Sequence, residues 1–375
     1  MLAEIAAAPC KFSPVTDDTP LALYGAGNMG RLACEVLENV GRKIEMVVDR
    51  DPRNLATSPT WCSVPLLHPG EVPADAKAKL RLAVSLVTSP YVAIEQSLLD
   101  QGFRDVIPFY DLAEGFRPRH PLGNGWFSPP LTQEDLDQTA KILSSWHDDI
   151  SRAHHLQFLA WRRLREEWVF GSAPVSSDNR FFIPEVADVL TNSEFFVDGG
   201  AHHGHVTLEF VRKTNGAFDR ILAIEPDPLN LAQLRTNLRS WMPDDGRVHC
   251  SHYALADVEA DLPFREGLGY ASQLSETGTT RVATRAIDMM ELSPTFLKLH
   301  LEGGELVALK GARETLLRKR PIIAATVYHN ADGIWRSPFW LMETLRDYRF
   351  LFRLHTWCGT GAVIYAIPNE RFGMS

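Results

Sequence analysis

The sequence predicts an α/β protein with two doubly wound domains joined by a helical connector. The chain has 375 residues and 45% hydrophobic content, which is more than one compact core usually holds. In both halves, short apolar runs alternate with helical patterns, as expected for parallel sheets that are covered on both faces. A charged helical stretch separates the halves. We therefore predict domains at residues 1–122 and 181–375, with the connector at residues 123–180.

The net charge, the length of the apolar runs and the cysteine spacing argue against several kinds of binding partner and location. A net charge of -9 gives no general attraction for nucleic acid or anionic lipid, and no apolar run approaches the ~18 residues of a membrane span. The five cysteines are scattered and form no C-x-x-C pair, which is typical of reduced thiols. We expect a cytoplasmic protein without a membrane span that does not bind nucleic acid.

The first domain is predicted to begin with a βαβ unit. The apolar strand Leu21–Tyr24 runs into Gly25-Ala26-Gly27-Asn28-Met29-Gly30, a helical pattern follows, and a second apolar run, Ile44–Val48, ends at Asp49. A G-x-G-x-x-G turn between strand and helix, with an acid about 20 residues further on, is the dinucleotide-binding pattern of Rossmann-like domains. We predict a nucleotide, NAD or a nucleotide sugar here; the alternative is a scaffold that binds no ligand. The predicted contacts are Gly25, Gly27, Gly30 and Asp49.

The connector and the end of the second domain have simple patterns. Thr132-Gln133-Glu134-Asp135 is similar to a capping box, and a charged helical pattern continues from it to Phe170. The last two apolar runs of the chain, Phe350–Leu354 and Ala362–Ile367, are too close for a crossover helix. They predict an antiparallel hairpin at the edge of the second sheet.

The second domain carries a different glycine turn. Strand Phe195–Val197 ends in Asp198-Gly199-Gly200-Ala201-His202-His203-Gly204, where an acid would repel phosphate but suit an ammonium or a sulfonium group. The next strand, Ile221–Ile224, ends in Glu225, where a carboxylate can accept ribose hydroxyls. This chemistry favours S-adenosylmethionine over NAD; alternatively, such acids cap helices or form salt bridges. The predicted cofactor contacts are Asp198, Gly200, Ala201, Gly204, Glu225, Pro226 and Asp227.

Three histidines, His202, His203 and His205, lie close together in this segment. Neighbouring side chains on a tight turn point apart, so their spacing is poor for a metal. We predict no metal site.

Polar and apolar residues alternate along the segment Thr295–Gly304. Lys298, His300 and Glu302 should share one face of a strand, with leucines on the other face. A polar face late in a buried strand is predicted to point into the cofactor crevice. The alternative is a structural ion pair between Lys298 and Glu302.

These stretches together resemble the FkbM family of methyltransferases, from about Phe181 to Pro368. The resemblance implies a Rossmann-like class I domain that uses S-adenosylmethionine, usually to methylate a hydroxyl of a sugar or secondary metabolite. The similar stretches are Phe196–Gly204, Ala223–Pro228, Phe296–Gly311, Val327–His329 and Tyr348–His355.

His300 stands where the family usually has an acid, two positions after the lysine. Methyl transfer needs the acceptor oxygen held near the methyl carbon and its proton removed. We predict that His300 is the base or orients the acceptor, with Lys298 and Glu302 fixing its surroundings. His329 is the second candidate base, or else a core histidine.

Other functions stay open at this point. The first domain resembles, more loosely, nucleotide-binding domains of sugar-modifying enzymes, so a redox or sugar-modifying reaction in that domain is one alternative. A noncatalytic binding protein of a glycan assembly system is another. Trp335, Trp340 and Arg353 are candidates for an acceptor site, since aromatic faces and a guanidinium suit a sugar or an anion.

Overall fold

The computed structural model describes residues 1–10, 12–55, 59–61, 63–122, 125–243 and 245–373. The chain divides into two compact units, and residues 123–180, predicted as the connector, are shared between them. Gly123 and Asn124, at the predicted boundary, lie outside the described residues. Unit 1 comprises Met1–Leu131, Leu156–Val175 and Thr356–Thr360; unit 2 comprises Thr132–His155, Ser176–His355 and Gly361–Ser375.

Unit 1 contains a five-stranded parallel sheet of order β3-β2-β1-β4-β5, which confirms the predicted doubly wound architecture. All four residues of β1 are buried, and α2 turns Ala33, Val36 and Leu37 inward with helical spacing. The strands are β1 (Leu21–Tyr24), β2 (Ile44–Val48), β3 (Leu66–Leu67), β4 (Arg81–Val84) and β5 (Asp105–Pro108). The helices are α1 (Leu2–Ala7), α2 (Asn28–Asn39), α3 (Pro52–Leu55), α4 (Ala74–Lys79), α5 (Tyr91–Asp100) and α6 (Phe109–Gly115).

Two helices follow in the predicted connector, α7 (Gln133–Ser145) and α8 (Asp149–Leu164). The predicted capping box is present: the Thr132 side chain accepts from the Asp135 backbone, and the Asp135 side chain accepts from the Thr132 backbone. By residue range, α7 belongs to unit 2, whereas α8 contributes to both units.

The main sheet of unit 2 has seven strands in the order β15-β16-β14-β13-β6-β7-β8. It is parallel except for β16, which pairs antiparallel with β14 and β15, as the predicted hairpin requires. The strands are β6 (Phe195–Gly199), β7 (Arg220–Ile224), β8 (Val248–Ser251), β13 (Phe296–Leu299), β14 (Ile322–Thr326), β15 (Tyr348–Leu354) and β16 (Ala362–Pro368). The helices are α9 (Pro184–Ala187), α10 (His205–Lys213), α11 (Pro228–Trp241), α12 (Glu305–Lys310), α13 (Arg313–Lys319) and α14 (Arg336–Thr344).

A second, four-stranded sheet lies in the chain between β8 and β13, and the sequence did not predict it. Its order is β11-β10-β12-β9, with β10 antiparallel to β11 and β12. Its strands are β9 (Ala254–Leu255), β10 (Ala260–Arg265), β11 (Gln273–Leu274) and β12 (Thr280–Arg285).

The main sheet of unit 2 packs on an aromatic cluster. The rings of Phe196 and Phe210 stack with centroids 4.4 Å apart, and Phe296 and Phe182 pack beside them. Each of these side chains is fully buried, and burial of one such side chain stabilises a fold by about 1.5–3 kcal/mol. The cluster fixes β6 and β13 side by side, and so fixes the turns at their carboxyl ends.

Among the described residues, no helix combines the length and apolar character needed to cross a bilayer. The described cysteines, Cys10, Cys34, Cys250 and Cys358, are free thiols, of which Cys34 and Cys358 are buried. Cys62 lies outside the described residues.

Candidate active site

A cavity opens in unit 2 at the carboxyl ends of β6, β7 and β13. The space between its lining residues is about 640 Å³, a figure that includes open solvent at the mouth of the cavity. The turns after these strands form one wall, and residues of the small sheet and its loop form the other. The lining includes Gly200, His202, Glu225, Pro226, Tyr253, Tyr270, His300 and Glu302.

The turn after β6 brings bare backbone to the cavity. Gly200 has a φ of +70°, and a Cβ atom there would lie 1.9 Å from the carbonyl oxygen of His300. Gly204 has a φ of +86°, and its Cβ would lie 2.7 Å from a leucine side chain of α11. The backbone N–H groups of Gly200 and Ala201 both donate to the carbonyl of Ile224, at 3.0 Å each. Close packing therefore requires glycine at positions 200 and 204.

Asp198 does not line the cavity, contrary to its predicted role as a direct cofactor contact. Its buried carboxylate accepts from Nζ of Lys298 at 2.8 Å and from the hydroxyl of Thr207 at 2.7 Å. The lysine also donates to the carbonyls of the two following glycines, at 3.2 and 2.8 Å. Because β6 and β13 align Lys298 with Asp198, the lysine pairs there and not with Glu302. The pair supports the glycine turn from inside the sheet.

Glu225 is the predicted acid that does face the cavity. Its Oε2 accepts from the backbone N–H of His202 at 2.7 Å, and its Oε1 accepts from that of Asp227 at 2.9 Å. Burial raises the pKa of Glu225 to about 7, although these hydrogen bonds oppose the shift. Each carboxylate oxygen can accept a second hydrogen bond, so Glu225 can still hold hydroxyl groups of a ligand.

Asp227 does not line the cavity, but its hydrogen bonds position segments that do. One oxygen caps α11 by accepting from two backbone N–H groups, at 2.9 and 3.1 Å. The other accepts from the backbone of Gly267 at 2.6 Å and from the hydroxyl of Ser272 at 2.7 Å. Asp227 thereby ties the start of α11 to the loop that carries Tyr270.

Several lining residues lie in segments where the sequence indicated no site. Tyr253 follows β8, and Leu255 and Leu274 lie in the small sheet. The ring of Tyr270 stacks on that of His202, with centroids 4.2 Å apart, while 61% of the residue is exposed. The local sequence signal for this wall was the pair of glycines around Leu268, which predicts a turn but no ligand.

Four titratable side chains meet beyond the end of β13. This strand ends at Leu299, so His300 and Glu302 lie on the following turn, and not on the longer strand that was predicted. Nε2 of His300 and Nε2 of His329 lie 3.1 and 3.4 Å from the same Oε1 atom of Glu302. Nδ1 of His329 lies 2.9 Å from Oε1 of Glu305. The structure therefore brings three of the predicted catalytic residues together and adds Glu305.

Burial and charge set the protonation of this cluster. Burial lowers the pKa of His300 to about 4. Burial would raise the pKa of Glu302, but His329 and His300 hold it below its usual range. Burial would lower the pKa of His329, but the charges of Glu302 and Glu305 outweigh it and raise that pKa well above the usual value. At neutral pH, His300 is thus a neutral imidazole beside an ionised Glu302.

Polar groups continue on the outer side of His300. The hydroxyl of Tyr328 lies 3.2 Å from Nε2 of His300 and accepts from the guanidinium of Arg180 at 2.9 Å. The predicted acceptor residue Arg353 is instead paired with two carboxylates, at 2.7 and 2.6 Å. Trp335 and Trp340 are partly buried and do not line the cavity.

The glycine turn of unit 1 forms a separate site candidate. A Cβ atom on Gly30 would lie 2.1 Å from the carbonyl oxygen of Gly25, while the Cβ position of Gly27 is open to 4 Å among the described residues. The carboxylate of Asp49 accepts from the backbone N–H of Ala26 at 2.8 Å and from another, two residues beyond the aspartate, at 2.9 Å. These contacts hold the turn; a nucleotide bound there stays a prediction.

A protein-family model matches part of the second half of the chain. Residues 198–352 match the family model described as the methyltransferase FkbM domain, which confirms the resemblance. No curated protein sequence matches the chain. The chain is similar to the crystal structure of methyltransferase FkbM from Methylobacillus flagellatus KT, with 19% identity, a TM-score of 0.65, and coverage of 97% of this chain and 96% of that one. This likeness shows a shared fold.

Two further solved structures align less closely. One is precorrin-6y C5,15-methyltransferase from Geobacter metallireducens GS-15, with 16% identity, a TM-score of 0.33, and coverage of 52% of this chain and 93% of that one. The other is an SAH-bound methyltransferase from Podospora anserina, with 14% identity, a TM-score of 0.32, and coverage of 64% of this chain and 97% of that one.

Proposed function

We propose, from the premise that residues 198–352 are a methyltransferase FkbM domain, that the protein transfers the methyl group of S-adenosylmethionine to a hydroxyl of a sugar, glycan or secondary metabolite. The observation that carries this proposal is Glu225, held by two backbone N–H groups at the cavity wall beside the bare backbone of Gly200. A fixed carboxylate next to an open glycine turn suits a ribose and the chain attached to it.

The lining offers complementary surfaces for the rest of such a ligand. Leu255, Phe264 and Leu274 supply an apolar wall for a nucleobase, and the amide of Asn230 lies at the same wall. His300 and Glu302 also line the cavity, and the carbonyl oxygen of His300 lies next to Gly200. When bound, S-adenosylmethionine would supply a methyl group on a positively charged sulfur.

The acceptor hydroxyl is activated at the His300–Glu302 pair. Ionised Glu302 lies 3.1 Å from Nε2 of His300 and would stabilise the imidazolium that forms when Nδ1 of this ring takes the hydroxyl proton, which opposes the effect of burial on the pKa of His300. Bound S-adenosylmethionine, which Glu225 and the Gly200 turn would hold, would supply the methyl group to the acceptor oxygen and would leave as the neutral thioether. Lys298 takes no part in this transfer; it is a positioning residue that fixes the glycine turn through Asp198.

Calorimetric titration of the full-length protein with S-adenosylmethionine, S-adenosylhomocysteine and NADH tests the donor. We expect the two sulfur nucleosides to bind, and Glu225→Ala to weaken them roughly 10- to 100-fold, because hydrogen bonds to a charged group are worth about 1.5–3 kcal/mol. Asp49→Ala, the equivalent acid of the unit 1 turn, is the matched control and should leave this affinity unchanged.

The opposite pattern would point to another function. Binding of NADH that is lost in Asp49→Ala but kept in Glu225→Ala would favour chemistry in unit 1. A protein that binds neither nucleoside but retains a carbohydrate would be a noncatalytic binding protein. For the acceptor, release of S-adenosylhomocysteine across a panel of sugars and hydroxylated metabolites identifies the class.

A further inference from the structure

The cluster beyond β13 has the composition of a metal site. His300, Glu302 and His329 each offer one ligand atom, and these atoms lie within 4.8 Å of one another. Two imidazole nitrogens and one carboxylate oxygen form a donor set that zinc and other divalent transition metals prefer in proteins. The histidines of the turn after β6, His202, His203 and His205, do not converge in this way among the described residues.

Two of the three distances between the donor atoms match those of a coordination shell, and the third, between the two imidazole nitrogens, is at most 4.8 Å. Nε2 of His300 and Nε2 of His329 are 3.1 and 3.4 Å from Oε1 of Glu302. With metal–ligand bonds of about 2.1 Å, neighbouring ligands are separated by about 3.0 Å in an octahedral site and by about 3.4 Å in a tetrahedral one. A cation bound by Glu302 and either histidine fits these distances, and the second histidine nitrogen lies within 4.8 Å of the other two donor atoms.

Glu305 supplies the outer partner that metal-binding histidines usually have. Its Oε1 lies 2.9 Å from Nδ1 of His329 and also accepts from Thr326 at 2.6 Å, while the backbone N–H groups of Leu301 and Gly303 donate to the same carboxylate. A carboxylate that accepts a hydrogen bond from Nδ1–H of a histidine orients the Nε2 lone pair of that ring. The Nε2 lone pair of His329 faces the carboxylate of Glu302. These two groups therefore stabilise a positive species between them, either a second proton or a metal ion.

The cluster is open on one side. His300 and Glu302 line the cavity and keep 22% and 14% of their side chains exposed, whereas His329 is 1% exposed. Protein atoms thus close the site from the sheet side, and further coordination positions face the cavity. Three protein ligands with an open position are typical of a metal that acts on a substrate.

We propose that His300, Glu302 and His329 bind one divalent transition-metal cation whose open positions take an oxygen of the acceptor. This inference rests on the proposed function for the identity of that oxygen. A hydroxyl held by the cation loses its proton to water more readily, because the metal stabilises the alkoxide. His300 then acts as a ligand, and the metal replaces it as the activating group.

Binding of the cation alone is the direct test. Tag-free, full-length protein is dialysed against EDTA and titrated with Zn²⁺, Mn²⁺ and Co²⁺ by calorimetry, with the Co²⁺ absorption spectrum as a second readout. We expect one cation per chain for at least one of the metals. His300→Ala and Glu302→Gln should abolish binding, and Glu305→Gln should weaken it about 10- to 100-fold. His202→Ala, which also lies in the cavity lining but is not one of the three converging ligands, is the matched control and should bind normally.

The proposal and the proposed function can fail separately. Each variant is checked for a wild-type circular dichroism spectrum and for S-adenosylmethionine binding, so a misfolded protein is not counted; His300 and Glu302 are chosen because they are partly exposed. Folded protein that binds S-adenosylmethionine but no cation would overturn the metal site alone. Cation binding that survives both His300→Ala and Glu302→Gln would overturn it as well. Cation binding without any S-adenosylmethionine binding would overturn the proposed function and leave the metal site standing.

Discussion

Replacing Lys298 by Met tests whether the buried ion pair holds the glycine turn. The side chains of Lys298 and Asp198 are 1% and 0% exposed, and their charged atoms lie 2.8 Å apart. Without the lysine, the buried carboxylate keeps the hydroxyl of Thr207 as a hydrogen-bond donor but has no compensating charge. Removing one partner of a buried pair lowers the free energy of unfolding by about 3–5 kcal/mol. That is a large part of the about 5–15 kcal/mol that stabilises a typical protein.

The assay combines urea unfolding with the thermal midpoint. A loss of about 3–5 kcal/mol corresponds to a fall of about 6–20 °C for a domain of some 200 residues. Lys310→Met, at an exposed position of α12, is the matched control and should change the stability by less than about 0.5 kcal/mol. The double variant Asp198→Asn Lys298→Met should regain part of the loss, because it buries no unpaired charge.

Two results would refute this reasoning. One is a Lys298→Met variant within about 1 kcal/mol of the wild type, which is the size of an ordinary hydrogen bond. The other is a double variant that is as unstable as the single one. A stable Lys298→Met protein that binds S-adenosylmethionine but has no turnover would instead place the lysine in the chemistry.

Three more predictions follow from the site. Gly200→Ala should abolish S-adenosylmethionine binding in calorimetry, because its Cβ would lie 1.9 Å from the carbonyl oxygen of His300; Gly216→Ala, also at positive φ but with open space, should bind normally. Burial raises the pKa of Glu225 from 4.5 to about 7, so the folded state binds more protons than the unfolded state across that window. Stability should therefore fall as pH rises from about 4.5 to about 7, by up to about 3 kcal/mol. Thermal midpoints of Glu225→Gln should lack this decline, and equal slopes in both proteins would contradict the assignment. His300→Ala should reduce turnover by about 10²- to 10⁴-fold with donor affinity retained, and unchanged turnover would remove His300 from the mechanism.

The parts of the fold that sequence reasoning predicted depend on short-range patterns. The βαβ start of unit 1, the closing hairpin and the turn after β6 are each marked by apolar periodicity and by turn residues within about ten positions. Glu225 could be placed at the cavity because an acid that ends a parallel strand must lie at the edge where the neighbouring turns meet. His300 and Glu302 also lie near that edge, although they were predicted there as part of a longer strand that in fact ends at Leu299.

The parts that were missed depend on long-range register or on weak patterns. Lys298 and Asp198 are 100 positions apart, and only the alignment of β13 with β6 shows that they pair with each other. The small sheet could not be predicted, because two of its strands have two residues each and the other two mix exposed and buried positions. A strand of two residues has no measurable period, so the wall that carries Tyr270 gave no strand signal, and the glycines around Leu268 indicated only a turn.

The alignment of Lys298 with Asp198 also bears on how accurately the sheet assembles. Parallel strands so distant in the chain must find each other late, after a long loop has closed. A slip of one residue would put a leucine opposite Asp198 and turn the lysine to the other face, leaving two buried charges without partners. A misaligned pairing of β6 with β13 is thereby less stable than the native pairing. The buried ion pair therefore favours the register in which the glycine turn can form.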